Sequence, residues 1–194
     1  MRRVCVFCGS ADGARGEYAS AARALAAELA RRHLGLVYGG GGTGMMGVLA
    51  DAMLAAGGEV IGVIPGPLAS RELAHTRLTE LRVVRSMHER KATMSELADG
   101  FVTLPGGLGT LEETLEMLTW AQLGIHSKPV GVLDVAGYFS GLRAMLRHGV
   151  EEGFVRPEYA ALLLFEETPV RLLDRFEAWR PHGLPRAWLD ATQT

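Results

Sequence analysis

The sequence predicts an α/β fold: a single doubly wound domain, a mostly parallel sheet with helices on both faces. Three observations lead there. Short apolar runs recur along the chain, most of them bounded by glycine or proline, as strands buried on both faces are. Amphipathic segments of helical period separate them, so strand and helix alternate throughout. The 194 residues, 48% hydrophobic and 22% charged, suffice for one domain with a sizeable core, and no linker, internal repeat or low-complexity segment interrupts them.

The first run, residues 4–8, ends in Gly9-Ser10. Tyr18, Ala22, Leu25 and Leu29 then form an apolar stripe opposed by Arg23, Arg31 and Arg32, which predicts a helix over about 17–33. Residues 35–38 read as the second strand. It runs into Gly39-Gly40-Gly41-Gly42-Thr43-Gly44, and a helix follows over about 45–56. A third strand, 59–64, stops at Pro65-Gly66-Pro67; residues 68–75 have no regular pattern, and a strand is expected near 81–84. Ser86 is placed to cap a helix reaching about Ala98. Residues 100–104, 129–133 and 161–165 supply the remaining strands, with helices over 138–151 and 169–179. Residues 1–180 make the domain, and 181–194 form a tail that contains Pro185 and ends in polar residues.

The sharpest signal lies after the strand at 100–104. Pro105-Gly106-Gly107-Leu108-Gly109-Thr110 joins it to a helix whose apolar positions are Leu111, Leu115, Leu118 and Ala121, with Gly124 placed to close it. Such a joint aims unpaired backbone N–H groups and the positive end of a helix dipole at one point, which suits a phosphate. Thr110 at the N-cap and Glu113 three positions on also spell a capping box, which would leave both residues to close the helix. A cap needs no Gly-Gly-x-Gly before it, whereas a backbone that must approach a ligand closely does.

Two further side-chain lines sharpen the chemistry. In Met87-His88-Glu89-Arg90-Lys91, Arg90 aligns with Met94 and Leu97, and Lys91 with Met87 and Met94, so both cations project from the apolar side. A cation there needs an anionic partner, either a bound phosphate or a carboxylate. Glu113 aligns with Met117 and Trp120, while Glu112 and Glu116 share an outward line. The Glu113 carboxylate therefore sits beside apolar bulk at the mouth of an anion-binding turn, where it can act on a substrate. A phosphate cradle, an inward arginine and an inward carboxylate fit cleavage of an N-glycosidic bond in a phosphorylated small molecule. Its oxocarbenium-like transition state is one a carboxylate stabilises.

Other chemistries fit less well. Gly39-x-Gly41-x-x-Gly44 matches the dinucleotide fingerprint, but it follows the second strand, and Glu59, about 20 positions on, opens the next strand instead of ending it. No phosphate-loop G-x-x-x-x-G-K-[ST] exists. Cys5 and Cys8 are spaced C-x-x-C within a strand, which puts them on opposite faces and reads as two buried core thiols. The six histidines show no ligand spacing, so neither metal nor cofactor is expected. A net charge of −2 gives no case for nucleic acid or an anionic membrane, and no apolar run approaches the roughly 20 residues needed to span a bilayer. Met1-Arg2-Arg3 leads straight into a strand without a signal-peptide apolar region, so a cytoplasmic location is expected.

These motifs together resemble those of the LONELY GUY (LOG) family. Pro105-Gly106-Gly107-Leu108-Gly109-Thr110-Leu111-Glu112-Glu113 matches P-G-G-x-G-T-x-x-E, and Met87-His88-Glu89-Arg90-Lys91 resembles M-H-x-R-K. Tyr38-Gly39-Gly40-Gly41 through Met46-Gly47 resembles the family's Y-G-G-G…M-G loop, and Thr119-Trp120-Ala121-Gln122-Leu123-Gly124 continues the match. The resemblance implies a Rossmann-like domain with cytokinin riboside 5′-monophosphate phosphoribohydrolase activity, releasing an N6-substituted adenine and ribose 5-phosphate. Many members also hydrolyse AMP. It implies Arg90 and Glu113 as the catalytic pair, Gly106, Gly107, Gly109 and Thr110 as holders of the phosphate, and Lys91 and Glu112 as further lining. Leu108, Leu111, Ser10, Gly40 and Gly41 join the substrate-binding set. Glu72, in Arg71-Glu72-Leu73, resembles a family glutamate that contacts the nucleotide; its other reading is a surface salt bridge.

The resemblance also implies at least a homodimer, some members being hexamers. Homologues have been labelled possible lysine decarboxylases. With two lysines, Lys91 and Lys128, and no recognisable pyridoxal phosphate site, this sequence gives that label no support. Two alternatives stay open. A general AMP nucleosidase would share every residue named, and a non-catalytic nucleotide or molybdenum-cofactor carrier would keep the glycines without needing Arg90 and Glu113.

Overall fold

Apolar runs of three to six residues cannot bury themselves alone, and here they pair edge to edge in one seven-stranded sheet. The computed structural model describes residues 1–69 and 74–180. Its strands are β1 (Arg3–Phe7), β2 (Gly35–Tyr38), β3 (Val60–Pro65), β4 (Glu80–Val84), β5 (Phe101–Thr103), β6 (Val130–Leu133) and β7 (Leu163–Glu166). They lie in the order β4-β3-β2-β1-β5-β6-β7, with each neighbouring pair parallel. The helices are α1 (Gly16–Arg31), α2 (Gly44–Ala55), α3 (Gly66–Leu68), α4 (Met87–Leu97), α5 (Leu108–Gln122), α6 (Ser140–Glu151), α7 (Pro157–Ala160) and α8 (Pro169–Glu177).

Alternation along the first strand sorts its side chains between two cores. Val4, Val6 and Cys8 pack with residues of α1, α2 and α8, whereas Cys5 and Phe7 pack with Met94 of α4 and Met117 of α5. The two thiols thus lie on opposite faces, free and buried. Burial pushes both thiols above their ordinary range, which makes them poor nucleophiles.

Strand order reverses between β1 and β5, which opens a crevice at their carboxyl ends. Two turns meet there: the Gly9 N–H donates to the Pro105 carbonyl at 3.1 Å, and the Gly9 carbonyl accepts from the Met46 N–H at 3.2 Å. Gly44 completes this junction. Its φ of +59° lies in the left-handed region, and a Cβ there would overlap the Ser10 backbone. Gly44→Ala combines backbone strain with a clash, so it will cost about 2–4 kcal/mol. A urea midpoint equal to that of the parent chain would refute this.

Most element boundaries fall within two or three residues of the sequence expectation, but α5 differs in an informative way. It begins at Leu108 with Gly107 as its N-cap and no side-chain cap, so Thr110 stands in the first turn and the expected Thr110–Glu113 capping box does not form. Gly107 takes an extended N-cap conformation and offers no capping side chain, so neither Thr110 nor Glu113 closes the helix. At the other end Gly124 (φ +77°) closes the helix as expected: Ile125 N–H donates to Trp120 O at 2.9 Å and Gly124 N–H to Ala121 O at 3.1 Å. The Leu111–Leu115–Leu118 spacing does not mark the buried face, because Leu115 is 40% exposed. Thr110, Glu113, Thr114 and Met117 turn inward instead. Thr114 Oγ1 donates to Thr110 O at 2.6 Å and bonds Thr103 Oγ1 at 2.8 Å, which satisfies the buried hydroxyls. The one-turn α3 and α7 and a 3₁₀ turn at Val135–Gly137 were not expected from the sequence. Glu72 and the 181–194 tail lie outside the described residues.

Candidate active site

The first helical bond of α5 runs from Leu111 N–H to Gly107 O, at 3.1 Å. The N–H groups of Leu108, Gly109 and Thr110 precede it and have no partner within the helix. With the positive end of the helix dipole they make this end of α5 favourable to an anion. They open on a cavity of about 300 Å³ bordered on this side by Gly9, Ser10, Gly107, Leu108, Gly109 and Thr110.

Arg90 and Glu113 line the same cavity. Arg90 Nη1 donates to Glu113 Oε1 at 2.6 Å, and its Nε donates to the Val63 carbonyl near the end of β3 at 3.0 Å. Gly39, ending the loop from β2, makes room for the guanidinium: a Cβ there would collide with Arg90 Nη2. Both side chains are almost enclosed, with 12% and 10% of their surfaces exposed. Burial raises the Glu113 carboxyl above its ordinary range, and the charge and hydrogen bond of Arg90 oppose that rise. A carboxylate held this way stabilises nearby positive charge more strongly than a solvated one could.

Lys91 faces a different set of groups. Its Nζ donates to Glu112 Oε1 and Glu116 Oε1, each at 2.9 Å, so the glutamates assigned an outward line are bound by a lysine from the neighbouring helix. Glu112 borders the cavity while Lys91 stands behind it. Of the other residues singled out in the sequence, Leu111 packs against the core beneath α5. Gly40 and Gly41 lie past the end of β2, where Gly41 O accepts from the Tyr38 hydroxyl at 3.1 Å and Gly41 bridges Ala74. Gly106 turns its carbonyl away, to the Tyr138 hydroxyl.

Some of the lining was not anticipated. Met46 and Met87 place thioethers on the cavity wall, and Phe7, Cys8, Gly9 and Gly39 complete it where β1 and β2 end. Both methionines stood in motif-bearing segments, and the strand ends were marked by glycines, so that signal was available. Glu59, by contrast, pairs with Arg3 (Oε2 to Nε, 2.8 Å) at the start of the strands, far from the cavity and unsuited to a ribose. Among the described residues no three His, Cys, Asp or Glu side chains gather as a ligand set, and no helix is long and apolar enough to cross a membrane.

Comparison with known proteins adds lineage to this geometry. Residues 46–176 match the family described as "Possible lysine decarboxylase". A "Probable cytokinin riboside 5′-monophosphate phosphoribohydrolase" of Oryza sativa subsp. japonica is 48% identical over 181 residues, 93% of this chain and 74% of its own. A cytokinin riboside 5′-monophosphate phosphoribohydrolase of Arabidopsis thaliana is 47% identical over 93% of this chain and 84% of its own. Among solved structures, the molybdenum cofactor binding protein of Rippkaea orientalis superposes with a TM-score of 0.70 at 16% identity, covering 92% of this chain and 97% of that one. The molybdenum cofactor carrier protein of Chlamydomonas reinhardtii gives 0.68 at 18%, over 92% and 99%. At those identities the likeness is one of fold, a Rossmann-like parallel sheet. Matched by the family model over most of its length and by its relatives over nearly all of it, the chain belongs to the LONELY GUY (LOG) family, the same family that carries the description "Possible lysine decarboxylase".

Proposed function

We propose that this chain hydrolyses the N-glycosidic bond of cytokinin riboside 5′-monophosphates, and of AMP, to give the free adenine-type base and ribose 5-phosphate. The observation that carries the reading is the enclosed Arg90–Glu113 pair, 2.6 Å apart, facing the same cavity as the open N-terminus of α5. The 5′-phosphate binds the amides of Gly107, Leu108, Gly109 and Thr110. Lys91 neutralises Glu112, whose charge would otherwise oppose the phosphate. As the C1′–N bond breaks, its electron pair leaves with the base. Glu113 stabilises the positive charge on C1′ and orients water, whose oxygen bonds C1′ while its proton passes to the base. Arg90 holds the carboxylate and orients the ribose phosphate or the departing base. The plant relatives' activity supports the substrate class, and a bare carrier would have no use for this pair. The same reading takes in a homodimer and a cytoplasmic location.

Release of free base from AMP and isopentenyladenosine monophosphate, alone and in competition, tests the activity directly. Charge-assisted contacts to a phosphate contribute about 1.5–3 kcal/mol each. Adenosine will therefore be turned over with a kcat/KM at least about a hundredfold below that of AMP. Equal values for the two would rule out the phosphate cradle.

A further inference from the structure

The peptide between Gly106 and Gly107 is exposed to two environments. Its carbonyl accepts a hydrogen bond from the Tyr138 hydroxyl at 2.5 Å. The peptide is trans, so the Gly107 N–H points the opposite way. Gly106 and Tyr138 border a second cavity of about 300 Å³, whereas Gly107 borders both that one and the cavity of Arg90 and Glu113. The flanking carbonyls are also engaged: Pro105 O accepts from Gly9 N–H and Gly107 O from Leu111 N–H. A Gly-Gly peptide has no side chain to choose its orientation, and glycine admits the backbone angles of either one. Rotated by half a turn, it would present a carbonyl oxygen to an incoming phosphate.

We propose that Tyr138 is a positioning residue for phosphate binding: its hydroxyl holds the Gly106–Gly107 peptide with the carbonyl turned out of the active-site cavity and the Gly107 N–H turned into it. This rests on the reading that a 5′-phosphate occupies this end of α5. The segment that presents Tyr138 is itself specified. Ala136 and Gly137 both take left-handed angles (φ 52° and 71°), a conformation that costs a residue with a Cβ about 1–2 kcal/mol. The turn persists because Tyr138 N–H donates to Val135 O at 3.0 Å and Phe139 N–H to Asp134 Oδ1 at 2.8 Å. The ring packs edge-on against Tyr18 and Phe139, at 5.8 and 5.0 Å between centroids. Strained backbone that its surroundings over-determine is a hallmark of functional positions. A tyrosine 42% exposed would not otherwise require it.

Tyr138→Phe keeps the ring contacts and removes only the hydroxyl. Inorganic phosphate binding, read by calorimetry, will weaken about tenfold. KM for AMP will rise by a similar factor with kcat within about twofold, and kcat/KM for adenosine will hold. Unchanged phosphate binding in this variant overturns the proposal, as does a rise in KM that adenosine shares. Tyr138→Leu removes the ring as well. Equal phosphate affinity in the two variants assigns the effect to the hydroxyl, while weakening confined to Tyr138→Leu assigns it to packing and overturns the proposal. A parent chain that binds phosphate yet releases no base defeats the hydrolase reading alone, since phosphate affinity is read without turnover. A parent chain that binds no phosphate defeats both.

Discussion

Glu113→Gln will lower kcat for base release at least about a thousandfold while leaving the chain folded. Glutamine has the same shape and keeps an oxygen to accept the 2.6 Å hydrogen bond from Arg90, so the geometry survives and only the charge is lost. That charge is what the developing cation at C1′ requires. Burial raises the Glu113 carboxyl above the usual 4.5, against the pull of Arg90. The acid limb of the pH–rate profile will consequently lie above the ordinary carboxylate range. The same shift affects stability. Between pH 4.5 and the folded-state pKa the native chain binds the proton more tightly than the unfolded chain. Glu113 thus contributes stability that is fully present below pH 4.5 and is lost as pH rises through the folded value. Urea unfolding across that window will show this slope in the parent and not in the glutamine variant. Turnover near the parent rate in Glu113→Gln would remove the residue from the mechanism.

Arg90→Ala will abolish activity and destabilise the chain at neutral pH by about 3–5 kcal/mol, the range for breaking a buried ion pair on one side only. Its guanidinium serves both Glu113 and the Val63 carbonyl, so alanine leaves a buried carboxylate without its cation and an acceptor without its donor. The damage will shrink as pH falls, because the stranded carboxyl can take a proton and become neutral. Arg90→Lys will not substitute, since one ammonium cannot span two partners that the planar fork reaches together. Combining Arg90→Ala with Glu113→Gln will recover much of the stability and none of the activity, a coupling that a double-mutant cycle in urea measures. A single alanine variant as stable as the parent would show that the pair is weakly held.

The sheet was legible because strands covered on both faces are written as unbroken apolar runs, and residues 4–8, 35–38 and 129–133 need no tertiary information to be seen. The meeting of Arg90 with Glu113 was legible for a related reason. Side-chain lines at helical spacing set which way each residue faces, and α4 and α5 precede and follow the same strand on the same side of the sheet. The partner of the outward glutamates was not legible. Periodicity places Glu112 and Glu116 outward, and nothing in their own helix announces that Lys91 reaches them. The start of α5 was misplaced because Thr-x-x-Glu reads as a capping box wherever it occurs, and a glycine cap leaves no side-chain trace. Leu115 shows the limit of apolar spacing, which marks a line on a helix and not its burial. Tyr138 depends on a left-handed Ala136, a conformation no alanine advertises.

Helix α5 carries at its first turn amides without helical partners and, five residues after Leu108, the carboxylate of Glu113. That interval is about 7.5 Å of helical rise. Loop motion cannot change that backbone interval, because both positions lie in one helix. Under the proposed function, a nucleotide anchored by its phosphate at the first turn brings its sugar alongside the Glu113 side chain. On the proposed reading, helical pitch thus sets how far along the nucleotide Glu113 stands from the phosphate-binding turn, before any contact with the base is made.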